Sequence, residues 1–207
     1  MKPRILVALL CGLDRTGWIN PDLALMLITM GRDARFECDF AKILDARPHE
    51  FARNIALATA RDGNYSWLCS LDNDNCPTIS PLDVIAAAPA DCDVCGVRYA
   101  IREGRDGAKF FPEAEPTAPY SEVREVAGGV LMIRNSVWKK VPRGPWFSWQ
   151  FLPGSETLET AMGEDVWFSA FVRSKGLKIY CHQTPAGHLK VLDVTAIAQK
   201  AAKAAER

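Results

Sequence analysis

Two carboxylates, Asp72 and Asp74, close an apolar run that begins at Trp67 and reads Trp-Leu-Cys-Ser-Leu-Asp-Asn-Asp-Asn-Cys-Pro. Spaced two apart where a buried strand gives way to a loop, both reach one cation at the edge of a sheet, and a cation held there grips phosphate. A second acidic pair, Glu164-Asp165, follows Gly163 and opens an amphipathic stretch. Carboxylates in a first helical turn complement the helix dipole, which is the default reading of this pair on the residues alone. Arg53 lies mid-helix, where a solvated surface position is the default, and Asp39 ends an alternating segment where turn formation and ligand binding compete. His188 is a lone histidine toward the end of the chain, by default a surface or packed residue.

The elements that must position these residues begin with what the chain can afford in size. At 207 residues it is long enough for one domain with a full core. Lys plus Arg and Asp plus Glu are 25 each, so no global field draws it to nucleic acid or an anionic membrane. The apolar residues 5–10 follow Lys2 and Arg4 but are too short to span a bilayer and lack a small-residue cleavage site. They read as the first strand of a cytoplasmic protein without a transmembrane segment. The 7 cysteines are odd in number, and Cys11, Cys38, Cys69 and Cys181 fall in apolar runs, as reduced buried thiols do. Cys92-x-x-Cys95 has no second pair to complete a zinc site and reads as core cysteine on a strand.

After the first strand comes a loop of turn formers, 12–17; Asn20 and Pro21 then open a helix with Leu23, Met26, Leu27 and Met30 at helical spacing up to Gly31. Residues 35–40 alternate as a second strand, ending at Asp39. Pro48 starts a helix with Phe51, Ile55, Leu57 and Ala58 as its apolar side, stopped at 62–64. The strand 67–71, a short helix bracketed by Pro77 and Pro81, and a strand at 93–99 follow. Strands alternating with helices predict an α/β domain with a mostly parallel central sheet flanked by helices, whose ligands gather at the carboxyl ends of the strands. Asp39, Asp72 and Asp74 would lie there. Further on, 103–119 reads as a long surface excursion, and 125–134 as a strand whose Gly128-Gly129 admits a ligand or another backbone at close range. Residues 137–141 form a short helix, 142–162 a loop loaded with Trp146, Phe147, Trp149 and Phe151, 164–174 a helix ended by Gly176, and 177–181 a last strand.

Asp-x-Asp fits several chemistries. An EF-hand loop would place its first, third, fifth, sixth and twelfth positions on Asp72, Asp74, Cys76, Pro77 and Asp83, and fails at Cys76 and Pro77. A phosphatase of the haloacid dehalogenase type pairs two aspartates after its first strand, whereas this pair follows the third. Over nearly its whole length the chain resembles GT-A-fold glycosyltransferases, especially the family 2-like group. The matching pieces run in order: Ile5-Leu-Val-Ala-Leu-Leu, Ala52-Arg53-Asn54, Leu71-Asp72-Asn73-Asp74, Gly128-Gly129, Gly163-Glu164-Asp165 and Gly187-His188.

The resemblance implies a GT-A domain over 1–190, with a nucleotide-binding half at 1–100 and an acceptor-side half at 101–190, and a helical tail at 191–207. It implies transfer of a sugar from a nucleotide-diphosphate donor, UDP-linked, to a hydroxyl acceptor. Asp72, Asp74 and His188 would hold Mn²⁺ or Mg²⁺, the nitrogen ligand suiting Mn²⁺ better. Cys11, Asp39, Arg53, Asp72, Asn73, Gly128 and Gly129 would line the donor. Asp165 would be the base of an inverting reaction, with Glu164 as its competitor. Trp146 and Trp149 would form a lid or acceptor platform, or else satellite core. Lys139, Lys140 and Arg143 form a small basic patch, by default a solvated face, which an anionic acceptor, nucleic acid included, would have reason to use; the acceptor classes left open are a glycan, a small molecule and a nucleic-acid base. The alternatives are a haloacid-dehalogenase-like phosphatase or phosphotransferase using Asp72 and Asp74, and a binding module for nucleotide or carbohydrate without turnover.

Overall fold

The computed structural model describes residues 2–11, 19–44, 49–103, 107–111, 118–151 and 161–188. The expected loop at 12–17 and the helical tail at 191–207 fall outside them. In chain order the first half comprises β1 (Arg4–Cys11), α1 (Pro21–Gly31), β2 (Glu37–Leu44), α2 (His49–Asp62), β3 (Trp67–Asp72), β4 (Asn75–Pro77), α3 (Pro81–Ala87) and β5 (Val94–Glu103). The second half adds β6 (Gly107–Phe111), β7 (Tyr120–Glu122), β8 (Val130–Arg134), α4 (Asn135–Lys140), β9 (Gln150–Phe151), β10 (Ala161–Met162), α5 (Glu164–Ser174) and β11 (Ile179–His188).

The main sheet runs β2-β1-β3-β8-β5-β11-β4, with β6 on β5 and β7 on β11, while β9 and β10 pair apart from it. β1 is parallel to both β2 and β3, and β11 to β5. β8 alone interrupts this central run, antiparallel to β3 and to β5. The mostly parallel α/β reading therefore stands, with one reversed strand at its centre. Alternation along β1 divides the core: Leu6, Ala8 and Leu10 pack with α2, α4 and α5, and Ile5 and Val7 with α1 and α3. Helices thus cover both faces, the three-layer solution for strands that are apolar on both sides.

Local chemistry sets the ends of the helices. Asn20 caps α1 by accepting the Asp22 N–H at 2.9 Å, ahead of Pro21 at the first turn. Ser80 caps α3 in the same way, so this helix starts at Pro81, and Pro77 ends β4 instead. α5 stops at Gly176, whose φ of +69° an L side chain rarely adopts. Three strands run further than expected. β2 continues through Phe40, Ala41 and Ile43; β5 and β6 pair as an antiparallel hairpin where a surface excursion was expected; and β11 reaches His188. On α2, Phe51 and Ile55 are exposed, and the buried side is Ala52, Arg53, Ala56, Leu57 and Ala60. Small alanines let this helix lie close to the sheet, and an arginine is sealed between them. All seven cysteines are free thiols, Cys92 and Cys95 among the buried ones.

Candidate active site at the carboxyl edge of the sheet

Asp72 is the last residue of β3 and lies opposite Leu10 near the end of β1. The turn that follows is stapled on both sides. Asn73 donates its N–H to Leu10 O at 3.0 Å and accepts the Asn20 N–H at 3.2 Å, and Asp72 donates its own to Gly129 O at 2.9 Å. The side chain of Asn75 donates to Asp74 Oδ1 at 3.0 Å. Asn20 and Asn75 are both buried, and Asn20 Nδ2 and Asn75 Oδ1 have no protein partner. Cys11 ends β1 at the same edge, its thiol pushed up by burial. β4 pairs antiparallel with β11 so that Asn75 lies opposite His188, which brings the His188 backbone beside the acidic turn. The His188 side chain lies outside the described residues.

Arg53 projects from α2 into this edge and is only 4% exposed. Its Nη1 donates to Gly128 O at 2.9 Å, its Nη2 to Asp72 Oδ2 at 3.1 Å and its Nε to Glu164 Oε1 at 3.4 Å. Burial alone would pull the guanidinium down, but Asp72 and Glu164 outweigh it and the net effect is upward. Gly128 is needed for this approach, because a Cβ there would stand 2.7 Å from Arg53 Nη2 and 2.8 Å from Cζ. The close partner of the glycine pair is therefore an arginine side chain, and the pair forms a turn leading into β8 instead of lying within it.

On the far side α5 is fastened to that turn. Gly128 donates its N–H to Asp165 Oδ2 at 3.2 Å, Val126 donates to Ser169 Oγ at 3.3 Å, and Ser169 donates to Asp165 O at 2.8 Å. Asp165 Oδ1 also accepts the Val166 N–H at 2.8 Å, so backbone donors orient both carboxylate oxygens. Burial pushes the Glu164 carboxyl up; Arg53 opposes this and Asp165 adds to it. The helix is anchored by Phe168, which stacks on Phe147 at 4.1 Å, a contact worth about 0.5–1.5 kcal/mol.

Arg53, Asp72, Asn73, Gly128, Gly129, Glu164 and Asp165 thus share one hydrogen-bonded edge. Three of the expected residues stand in settings other than an open donor or acceptor surface. Asp39 is the third residue of β2, in register with Leu6, whereas Asp72 aligns with Leu10. At about 3.3 Å per residue that sets it about 13 Å down the strands, at the amino edge. It is half exposed there and accepts from Tyr65 at 2.8 Å and Arg4 at 3.0 Å. Trp146 is core, only 3% exposed, with its indole N–H on Val141 O at 2.8 Å. The Asn54 side chain holds its segment to α2 through Trp146 N, Phe147 N and Phe147 O; Trp149, further along, is 42% exposed. Arg53 does not present an open face to a diphosphate, since it is enclosed by the contacts above. Sequence reasoning passed over Asn75 and Ser169; the adjacency of Asn75 to the acidic pair was the one signal available.

Solved structures decide the fold. The chain matches A197 from STIV with a TM-score of 0.61 at 20% identity, over 91% of this chain and 86% of that one. It matches a mutant of Drosophila β-1,4-galactosyltransferase 7, in complex with manganese, UDP-Gal and xylobiose, with a TM-score of 0.50 at 15% identity, over 90% and 71%. The fold is GT-A-type. At these identities the likeness is one of architecture. No protein-family model matches the sequence, and no curated protein matches it at the sequence level. Among the described residues no group of three His, Cys, Asp or Glu side chains is arranged to hold a metal ion, and no helix is long and apolar enough to cross a membrane.

Proposed function

We propose that the protein moves a sugar from a UDP-linked donor to a hydroxyl acceptor, with Mn²⁺ or Mg²⁺ held by Asp72, Asp74 and His188. One observation carries the reading: buried Arg53 ties the carboxylate at the end of β3 to the acidic pair that opens α5. Donor-side and acceptor-side groups of this reading therefore meet on one edge of a GT-A-type sheet. The manganese, UDP-Gal and xylobiose in the galactosyltransferase complex support the same classes of cation, donor and acceptor.

The residues fit a divalent cation. Two carboxylates two apart on a stapled turn offer hard oxygen ligands, strand pairing adds a histidine position beside them, and the unpartnered Asn75 Oδ1 is a buried acceptor at the same turn. When bound there, the cation supplies charge stabilisation to a departing diphosphate. Asn73 and Gly129 hold the turn in place through backbone hydrogen bonds. Asp165 takes the proton from the acceptor hydroxyl; its two backbone donors fix the direction of the carboxylate, and each oxygen retains a further acceptor site. Glu164 is the competing base, raised by burial and tethered by Arg53. Trp149 offers a face for the sugar or the acceptor. The GT-A-type fold leaves the phosphatase alternative without support.

The test is turnover of nucleotide sugars. Offered a panel of them with Mn²⁺, the protein is expected to bind one donor and hydrolyse it slowly without an acceptor, and Asp74→Ala to abolish both. If no donor is bound or consumed and Asp74→Ala behaves as wild type, the reading fails.

A further inference from the structure

Three carboxylates surround one cation at this edge: Asp72, Glu164 and Asp165 all act on the charge of Arg53. They come from β3 and α5, while Arg53 comes from α2; His49, at the start of α2, also acts on Glu164. The three contacts of the guanidinium are unequal. The bonds to Gly128 O and Asp72 are well made at 2.9 and 3.1 Å, and the one to Glu164, at 3.4 Å, is near the limit of a hydrogen bond. A guanidinium sealed from water cannot lose one carboxylate without leaning harder on another. If a second cation takes up the charge of Asp72, Glu164 is the partner that remains.

We propose that Arg53 is a positioning residue that couples the two halves of the site: engagement of Asp72 by a cation moves the guanidinium's weight onto Glu164 and draws the start of α5, with Asp165, toward the donor. The inference rests on the reading of Asp72 as a cation-holding residue. The path is continuous, because α5 grips the Gly128 turn through Asp165 and Ser169, and Gly129 O holds the Asp72 N–H. The guanidinium packs directly on the Gly128 backbone, in the space a Cβ would take, so the turn and Arg53 move together. Donor and acceptor then bind with positive coupling, and by linkage the coupling is reciprocal.

Amide hydrogen exchange tests this on ligand-free protein. Asp72→Asn removes the charge as a bound cation would. It is expected to slow exchange several-fold at Gly128 and Val166, the two amides donated to Asp165, relative to the core amide of Leu68. In an Arg53→Lys background the same change is expected to have no such effect, because an ammonium cannot hold three planar-spaced partners. The proposal is overturned if Asp72→Asn leaves both amides unchanged relative to Leu68, or shifts them equally in the two backgrounds. A second arm saturates wild type and Arg53→Lys with Mn²⁺ and UDP; the two amides slow in wild type alone, and equal slowing in both refutes the coupling. If Mn²⁺ with UDP does not bind wild type, the donor-site reading falls, while the Asp72→Asn comparison still decides the role of Arg53.

Discussion

At the amino edge of the sheet Arg4 meets Asp39 at 3.0 Å, and at the carboxyl edge Arg53 meets Asp72 at 3.1 Å. The distances match, but the surroundings do not. Arg4 and Asp39 are each about half exposed to water, and Tyr65 completes the cluster with its hydroxyl on Asp39 and its ring under the guanidinium at 4.5 Å. Arg53 is enclosed and has more carboxylates than it can neutralise. A short ion pair is thus common to both edges, and what sets the candidate site apart is burial combined with an excess of negative charge. An exposed pair is screened and contributes little, whereas a buried one is strongly destabilised when a single partner goes.

The largest expected contrast is in turnover. Asp165→Asn should lower kcat in the donor assay by about 10²–10⁴-fold, the range of a general base, while Asp39→Asn leaves it unchanged. If Asp39→Asn proves as damaging, the division between the edges is wrong. Next comes stability. Arg53→Leu strands Asp72 and Glu164 and should cost about 3–5 kcal/mol in urea unfolding, against less than about 1 kcal/mol for Arg4→Leu. Gly128→Ala pushes a methyl onto the guanidinium and should cost about 1–3 kcal/mol by the same measurement.

The smallest effect separates the edges by sign. Asp39 is held below its ordinary value, first by Tyr65 and then by Arg4, so the unfolded chain binds its proton more readily. Its contribution is present above about pH 4 and lost as pH falls through the folded value. Glu164 is raised, chiefly by burial, so the folded chain binds the proton more readily. Its contribution is present below about pH 4 and lost as pH rises through the folded value. Melting temperatures across pH should show Asp39→Asn flattening the acid limb and Glu164→Gln flattening the decline above it.

Much of this was legible in the sequence where punctuation and period agreed. Gly163 and Gly176 bracket α5, and Asn20-Pro21 opens α1, as cap chemistry dictates. The acidic turn was visible because an apolar run ends in it. Asp39 misled because a carboxylate looks like a strand end, yet Phe40, Ala41 and Ile43 carry the alternation onward. Arg53 was hidden by alanines: periodicity weighted toward large apolar residues follows Phe51 and Ile55, which face water, and misses the side formed by Ala52, Ala56 and Ala60. Trp146 was decided by a distant side chain, since the amide of Asn54 fixes the backbone of its segment from α2. No local pattern announces such a contact.

The reversed strand β8 also governs how the molecule can come together. It belongs to the later part of the chain, yet it is the partner of both β3 and β5. Of the strands in residues 1–100 only β2, β1 and β3 pair with one another; β5 and β4 are joined to the sheet through β8 and β11. The first hundred residues therefore contain no continuous sheet of their own beyond β2-β1-β3. The segment that joins β3 to β5 is also the one that delivers the Gly128 turn to Arg53.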